Sequence, residues 1–467
     1  MRNGPSWRRR AGLALLPLAA AYCASPCLAA DERVHFGMFG DLHLARPKAA
    51  PTDVVLLLSD TDGWTPRSQL LADTLADSGA LAVGIDLPVY RARLDALGEA
   101  CAYPAGHVEE LAHWIERHAG LVDYRTPLVV GDGAGANMGY ALVAQAPAGT
   151  FGGLITLGWD WDLAFARPFC PGDAGSASAA DAHGGYRVAP LGSLPSPWLA
   201  QPFAPGTRSS GPAAGIGLAW QLATLLLPTL DEGTARADLT AAFATWSRRD
   251  HGAAAPLSGD IADLPLTEIE PRAADTGRIV LLLTGDGGWA GLDKGVAEVL
   301  AGEGSRVVGF STLRFFWEAR TPEQTVDAVR RTLAHYAQRY PQSRFAIVGY
   351  SFGASLVPYV INHLPLPLQQ RIDGATMISP DDEAVFEIRI GDWFGGAHHD
   401  GALPVRPEIA RSALPLTCIH GAEETDSFCA GLEDPKLDVR TLAGGHHYDG
   451  DYAALGRAIV EGLARPR

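Results

Sequence analysis

Beyond its N-terminus the chain has no apolar run long enough to cross a bilayer, so the body of the protein is not expected to span a membrane. It is also short of positive charge: 37 Lys and Arg stand against 53 Asp and Glu in 467 residues, a net charge of −16. Nucleic acid binding needs clustered Lys and Arg, so nucleic acid is not expected as a partner. The same deficit argues against holding anionic lipid by charge alone, whereas a cationic substrate suits such a surface. Metal-ligand spacing is missing. His398-His399 and His446-His447 are adjacent pairs, which cannot both easily face one ion, so neither a metal nor another cofactor is expected. Cysteine is scarce, at six in the whole chain.

The first thirty residues differ from the rest. Arg8-Arg9-Arg10, the apolar stretch Ala11 to Ala21 and the small residues Leu28-Ala29-Ala30 before Asp31 read as a secretory signal peptide. A membrane anchor fits less well, because the apolar stretch is short and ends at Ser25-Pro26. Loss of this leader removes four arginines and takes the net charge to −20. Cys101, Cys170, Cys418 and Cys429 remain, an even number in an exported chain, which points to disulfides. Cys101–Cys170 and Cys418–Cys429 is the natural pairing for two domains, although sequence does not fix it.

A chain of this length exceeds one core, so two domains are expected. Val54 to Leu58 is a buried-strand pattern ending in Ser59-Asp60-Thr61-Asp62-Gly63-Trp64, and further strands and helices alternate after it. Such alternation predicts a parallel α/β sheet. The pattern recurs: Ile279 to Leu283 ends in Thr284-Gly285-Asp286-Gly287-Gly288-Trp289. Two strand ends reading Leu-Leu-Leu-x-x-x-x-Gly-Trp, each with the same succession after it, indicate a duplicated domain. The expected organisation is a leader at 1–30, a first hydrolase-like domain at 31–250, a linker at 251–275 and a catalytic domain at 276–467. Gly172 to Thr207 reads as a long loop, and Leu218 to Leu230 as a helix.

The chemistry-bearing stretch is Phe345 to Ala354, in which an apolar strand runs into Gly349-Tyr350-Ser351-Phe352-Gly353 and then a helix-like segment. This is the strand–turn–helix setting of a nucleophile elbow, and the expected fold is a tandem of α/β-hydrolase-like domains. The corresponding position in the first copy is Gly133, which cannot be a nucleophile, so that copy is expected to be catalytically dead. Asp132, one residue earlier, reads as structural. A triad in this architecture runs Ser, acid, His. Glu424 lies three residues after Gly421 at a strand end, with Asp426 close behind. In Gly444-Gly445-His446-His447-Tyr448 the spacing favours His447, with His446 as the alternative in a supporting place. The imidazole would take the Ser351 proton and the carboxylate would fix its tautomer. Oxyanion donors are expected from the N–H of Phe352 and from Asp286 or Gly287; one such donor is worth about 3 kcal/mol.

Leu313 to Glu323, His335-Tyr336, Gly349 to Ala354, Pro358, Asn362 with Leu364-Pro365, and Gly444 to Tyr452 together resemble the bacterial virulence protein family VirJ/AcvB over roughly Arg278 to Glu461. So does the Cys418–Cys429 segment, and the doubled chain resembles the family's longer form. In this family an acidic residue often follows Gly-Ala at the elbow, where this chain has Ser355. The resemblance implies a periplasmic esterase that hydrolyses aminoacyl-phosphatidylglycerol, the lysyl form especially, at the membrane surface. It also implies links to virulence and type IV secretion, so secretion-system partners are possible. For the cationic headgroup, Asp286, Glu318, Asp381 and Asp382 are candidate ammonium ligands. Phe315, Phe316, Trp317 and Trp289 are candidates for an apolar entrance, with ordinary core packing as the alternative.

Overall fold

The computed structural model describes residues 32–98, 100–159, 163–172, 176–182, 184–202, 232–251, 260–289, 291–388, 401–425, 427–432, 434 and 437–464. The expected leader, the expected helix at 218–230 and Asp426 lie outside the described residues.

The first unit opens with β1 (Glu32–Phe36), β2 (Gly40–Ala45), β3 (Asp53–Leu58), α1 (Pro66–Asp77), β4 (Ala80–Ile85), α2 (Leu87–Ala96) and α3 (Pro104–His118). It continues with β5 (Leu128–Asp132), α4 (Ala134–Gln145), β6 (Gly153–Trp159), β7 (Ala164–Phe165), β8 (Ser178–Ala180), β9 (Tyr186–Val188), β10 (Trp198–Pro202) and α5 (Glu232–His251). The second comprises β11 (Leu266–Ile269), β12 (Arg278–Leu283), α6 (Gly291–Gly302), β13 (Arg306–Phe310), α7 (Thr312–Phe315), α8 (Pro322–Arg339), β14 (Arg344–Tyr350) and α9 (Phe352–His363). After these come α10 (Leu366–Gln369), β15 (Ile372–Ile378), β16 (Glu383–Ala384), β17 (Leu403–Pro404), α11 (Val405–Arg411), β18 (Leu416–Gly421), β19 (Leu437–Leu442) and α12 (Tyr452–Leu463).

Each unit has a seven-stranded sheet, ordered β1-β2-β4-β3-β5-β6-β10 and β11-β13-β12-β14-β15-β18-β19. From β4 to β10 and from β13 to β19 neighbours run parallel, and an antiparallel strand, β2 or β11, flanks each. Helices cover both faces, which is why strands such as Asp53–Leu58 are buried at every position. This tandem α/β-hydrolase-like architecture is the one the sequence predicts.

Two stretches differ from expectation. Gly172 to Thr207 is no simple loop: it carries β8 and β9 of a small three-stranded sheet, and β10 extends the main sheet along β6. Small residues in Ala-Ser-Ala and a Pro-flanked Trp-Leu-Ala-Gln concealed those strands. Leu266–Ile269, expected in the linker, pairs with β13, so the second sheet begins before residue 276.

The duplication extends to atomic detail. Ser351 has φ 50° and ψ −117°, and Gly133 has φ 57° and ψ −118°. Ser351 N–H donates to Ile378 O, as Gly133 N–H does to Leu157 O. Trp64 and Trp289 each lie over a glycine of the neighbouring strand, Gly84 and Gly309, leaving no room for a Cβ. The repeated Gly-Trp pair is therefore a packing device.

Candidate active site

The two glycines of the elbow are demanded by backbone approach. A Cβ on Gly349 would stand 2.5 Å from Gly353 O, and one on Gly353 would meet the carbonyls of Leu283 and Thr284. Ser351 itself is one of four non-glycine residues with positive φ among the described residues, a conformation costing about 1–3 kcal/mol that surrounding structure must impose.

Ser351 Oγ lies 3.0 Å from His446 Nε2, and His446 Nδ1 lies 2.6 Å from Glu424 Oε1. The other carboxylate oxygen accepts the Gly421 N–H at 2.7 Å and the Ser379 hydroxyl at 2.9 Å. Tyr448 Oη, 2.7 Å from Ser379 Oγ, donates to Ile419 O. Burial pulls the Glu424 carboxyl upward, but the hydrogen bonds of His446, Gly421 and Ser379 outweigh it and hold the group below its ordinary value. It is therefore an ionised acceptor at neutral pH, turned toward His446 by two fixed donors, the Gly421 N–H and the Ser379 hydroxyl.

The spacing favoured His447; the imidazole beside Ser351 is that of His446. Gly444 adopts φ +89° and the Tyr448 ring is buried, so the segment turns on itself instead of running extended. Its Tyr448 N–H returns to Gly445 O, and Glu423 N–H donates to Gly444 O. Within that turn His446 faces Ser351, while His447 Nδ1 lies 3.2 Å from the Tyr350 hydroxyl. That hydroxyl also donates to His446 O, so the residue between Gly349 and Ser351 steadies the histidine loop. Sequence reasoning missed Ser379 and the role of Tyr448. Tyr448 stood next to the predicted histidines, but nothing local marks Ser379, which arrives from the end of β15.

The N–H of Phe352 opens α9 and belongs to the first helical turn, which has no intrahelical acceptor. Its counterpart in the first unit, the Ala134 N–H, donates to Asp60 Oδ1 at 2.9 Å. Asp60 stands where the second unit has Gly285, and its carboxylate fills the place a side chain at 133 would take. The degenerate elbow thus holds an anionic oxygen at the position an oxyanion would occupy. Asp132 is paired with Arg67 through two hydrogen bonds, at 2.7 and 3.0 Å, the structural role expected of it. Gly285 packs against Tyr350 and lies 3.7 Å, at its Cβ position, from Ser351 Cβ, which brings the Asp286-Gly287 loop to the serine.

The remaining candidates separate. Asp381 and Asp286 act on each other electrostatically, and His446 acts on Asp381 as well. Desolvation, countered by His446 and reinforced by Asp286, raises the Asp381 carboxyl. Ser355, where the family often has an acid, accepts the Asp381 N–H at 2.9 Å and donates to Ser351 O, tying the elbow helix to this loop. Glu318 is exposed and pairs with Arg320 at 3.4 Å. The aromatics do not form an entrance. Phe315 and Phe316 are buried, Phe316 against the Phe352 and Phe386 rings, and Trp289 covers Gly309. Trp317 is also buried, at the junction with the first unit: its indole N–H donates to Leu121 O at 3.0 Å and the Arg117 guanidinium lies 4.8 Å over its ring. Bulky apolar residues after a strand end were drawn into the core and the joint because that is where large apolar area is removed from water.

Both expected disulfides are present, Cys101–Cys170 and Cys418–Cys429. Among the described residues no group of His, Cys, Asp and Glu could hold a metal ion, and no helix is long and apolar enough to cross a membrane.

Similar solved structures include an α/β serine hydrolase homologue from Coxiella burnetii, at 14% identity, covering 44% of this chain and 95% of its own, with a TM-score of 0.33. Est1E from Butyrivibrio proteoclasticus, with ferulic acid bound, is 13% identical over 43% of this chain and 96% of its own, TM-score 0.32. An α/β serine hydrolase without a lid from Xanthomonas campestris is 16% identical over 46% of this chain and 96% of its own, TM-score 0.31. No curated protein sequence matches this chain. Residues 277–467 match the family described as bacterial virulence protein (VirJ), and the second unit is accordingly a VirJ domain.

Proposed function

We propose that the second unit is a serine ester hydrolase that cleaves aminoacyl-phosphatidylglycerol, the lysyl form in particular, on the periplasmic side of the membrane. The observation that carries this reading is the hydrogen-bonded series Ser351–His446–Glu424 on a strained elbow. His446 Nε2 takes the Ser351 proton as Oγ attacks the ester carbonyl carbon. The negative oxygen is received by the Phe352 N–H and by the N–H of Gly287 or Asp286, the first supported by what the Ala134 N–H does in the degenerate copy. His446 then protonates the departing glycerol oxygen, releasing phosphatidylglycerol and leaving an aminoacyl-serine. Water, deprotonated by His446, releases the free amino acid and restores Ser351.

The amino-acid part of such a substrate is cationic, which suits Asp286 and Asp381 beside His446. Two disulfides fit a chain that works in an oxidising compartment. His446 is partly open to solvent, as a site serving a lipid headgroup from outside requires. Mass spectrometry of lysyl-phosphatidylglycerol vesicles incubated with the protein tests the reading. Loss of the aminoacyl lipid with wild type, and its persistence with Ser351→Ala, is expected. Equal hydrolysis by both proteins would leave the serine vestigial and turn the function toward binding or adapting secretion-system partners.

A further inference from the structure

The acid of the site sits on a loop, whereas the groups that orient it sit at strand ends. Glu424 lies between Cys418 and Cys429, inside a ring of chain that the second disulfide closes over a separation of 11 residues. The near side of this loop is tied to the sheet and to the histidine segment. Ala422 N–H donates to Leu442 O at 2.7 Å, Glu423 N–H to Gly444 O at 3.0 Å and Glu424 N–H to Gly421 O at 3.2 Å. On the far side, the bonds from Gly431 N–H to Phe428 O and from Leu432 N–H to Cys429 O stay within the segment itself. The Ser427 hydroxyl is buried with no hydrogen-bond partner among the described residues. The exposed Arg406 guanidinium touches this side only from outside, 5.3 Å from the Phe428 ring and 3.4 Å from Gly431 O.

What returns the far side to the sheet is the covalent bond. Cys418 and Cys429 are both buried, and the Cys429 sulfur lies 3.6 Å from Ile419 O, the carbonyl to which Tyr448 Oη also donates. Cys418 stands in register with Met377 of β15 and with Val439 of β19. Strand β15 runs on to Ser379, which holds the Glu424 carboxylate, and β19 runs on to the turn that presents His446. The anchor thus lies in the strand between the two that deliver the partners of the acid. We infer that Cys418 and Cys429 are positioning residues for the reaction, their bond holding the loop so that the Glu424 carboxylate meets His446. This rests on the ester-hydrolase reading above.

The first disulfide shows a bond without this task. Cys101 and Cys170 are 69 residues apart, and the segments they join already exchange hydrogen bonds. Ala102 N–H donates to Pro168 O, Cys170 N–H to Ala102 O, and the Gln145 side-chain amide to both Ala102 O and Cys170 O. The loop it closes contains none of Ser351, Glu424 and His446. The second bond encloses the acid and carries the return of its loop. Forming it joins two sulfurs and passes two electrons and two protons to a disulfide-bearing oxidant, which becomes a dithiol. Before that exchange the chain has its nucleophile and its imidazole, but the acid rides on a loop tethered from one side. Oxidation therefore completes the hydrolase.

The test uses the full chain and the soluble 4-nitrophenyl ester of lysine, with kcat and KM from initial rates and circular dichroism to report folding. Cys418→Ala/Cys429→Ala is expected to fold, to keep KM within about twofold of wild type and to lose kcat about 30-fold. Cys418→Val/Cys429→Ala, which refills more of the buried space, is the second variant, with the same expectation. Cys101→Ala/Cys170→Ala is expected to keep both constants within about twofold. Glu424→Gln alone should lose more than any of these. In that background, removing Cys418 and Cys429 should lower kcat by less than about twofold more, because the loop then carries no carboxylate to place. A folded variant without the second disulfide whose kcat stays within about twofold of wild type overturns the inference. So does an equal loss of kcat in the wild-type and Glu424→Gln backgrounds, and so does failure of both variants to fold, which makes the bond a staple of the fold. Each of these leaves the hydrolase reading standing. Wild type no faster than Ser351→Ala overturns both.

Discussion

Introducing a serine at position 133 should cost the first unit far more than a surface glycine replacement, and a second replacement should recover much of the loss. Gly133 has φ 57°, so any side chain there is strained by about 1–2 kcal/mol. A Cβ at 133 would also overlap the Asp60 carboxylate, which must then swing away from the Ala134 and Thr61 N–H groups it now accepts at 2.9 and 2.7 Å. A hydrogen bond to a charged group is worth about 1.5–3 kcal/mol, so loss of both together with the strain should destabilise Gly133→Ser by about 4–8 kcal/mol, most of it through Asp60. Asp60→Gly loses those bonds outright but frees the space. In the double variant the two bonds are lost once instead of twice and only the strain is added, giving a coupling of about 3–6 kcal/mol in favour of the pair. Hydrogen exchange of the α4 amides, read by mass spectrometry, reports the local opening free energy of each variant without requiring the two units to unfold together. Effects that add to within about 0.5 kcal/mol would refute the argument that Asp60 fills the room vacated by the lost nucleophile.

His446→Ala should lower ester turnover by about 10⁴-fold, whereas His447→Ala, which removes the hydrogen bond with Tyr350 and the ring contact with His446, should cost less than about tenfold, both read from initial rates. Ser379→Ala removes one of three donors to Glu424 and should lower kcat by about tenfold with little change in KM. Because the folded Glu424 carboxyl lies below its ordinary value of about 4.3, the stability it lends is present at neutral pH and lost as pH falls through the depressed value. Urea unfolding of Glu424→Gln should therefore show a shallower decline of stability below pH 4 than wild type. Removing the Cys418–Cys429 bond, which closes an 11-residue separation beside the Glu424 loop, should cost about 2–3 kcal/mol, measurable by urea unfolding of Cys418→Ala/Cys429→Ala.

The parts of this molecule legible in the sequence were those fixed by local rules. Two elbows, two Gly-Trp strand ends and two all-apolar strands each carry their own signature, so the tandem sheets and the choice of Ser351 over Gly133 could be read directly. Glu424 was legible because it counts from a strand end. His446 was not, since the spacing rule assumes an extended loop, and the turn between Gly444 and Tyr448 depends on burying a tyrosine in a core assembled from β15 and β18. Trp317 and Phe316 were misplaced for a related reason. Aromatic bulk says that a residue will be buried but not against what, and the answer for Trp317 came from a helix 200 residues earlier. Strands β8 to β10 and β11 escaped notice because short edge segments hold their place by pairing with a neighbour, not by their own composition.

The two units divide one set of groups between them in a way that neither sequence alone would disclose. Positions 60 and 133 in the first unit, and 285 and 351 in the second, are equivalent pairs, and in each pair one member is glycine. Where the glycine is at 285, the space beside the elbow is open and Ser351 projects into it. Where it is at 133, Asp60 closes that space and satisfies the helix N–H permanently. Closing it stabilises the first unit and frees its helices from any demand to admit substrate. Helix α3 meets the second unit at Trp317 through His113 and Arg117, and Leu121, just past its end, accepts the indole N–H. Loss of the nucleophile and acquisition of a supporting role are in this chain two consequences of moving one side chain across a gap of a few ångströms.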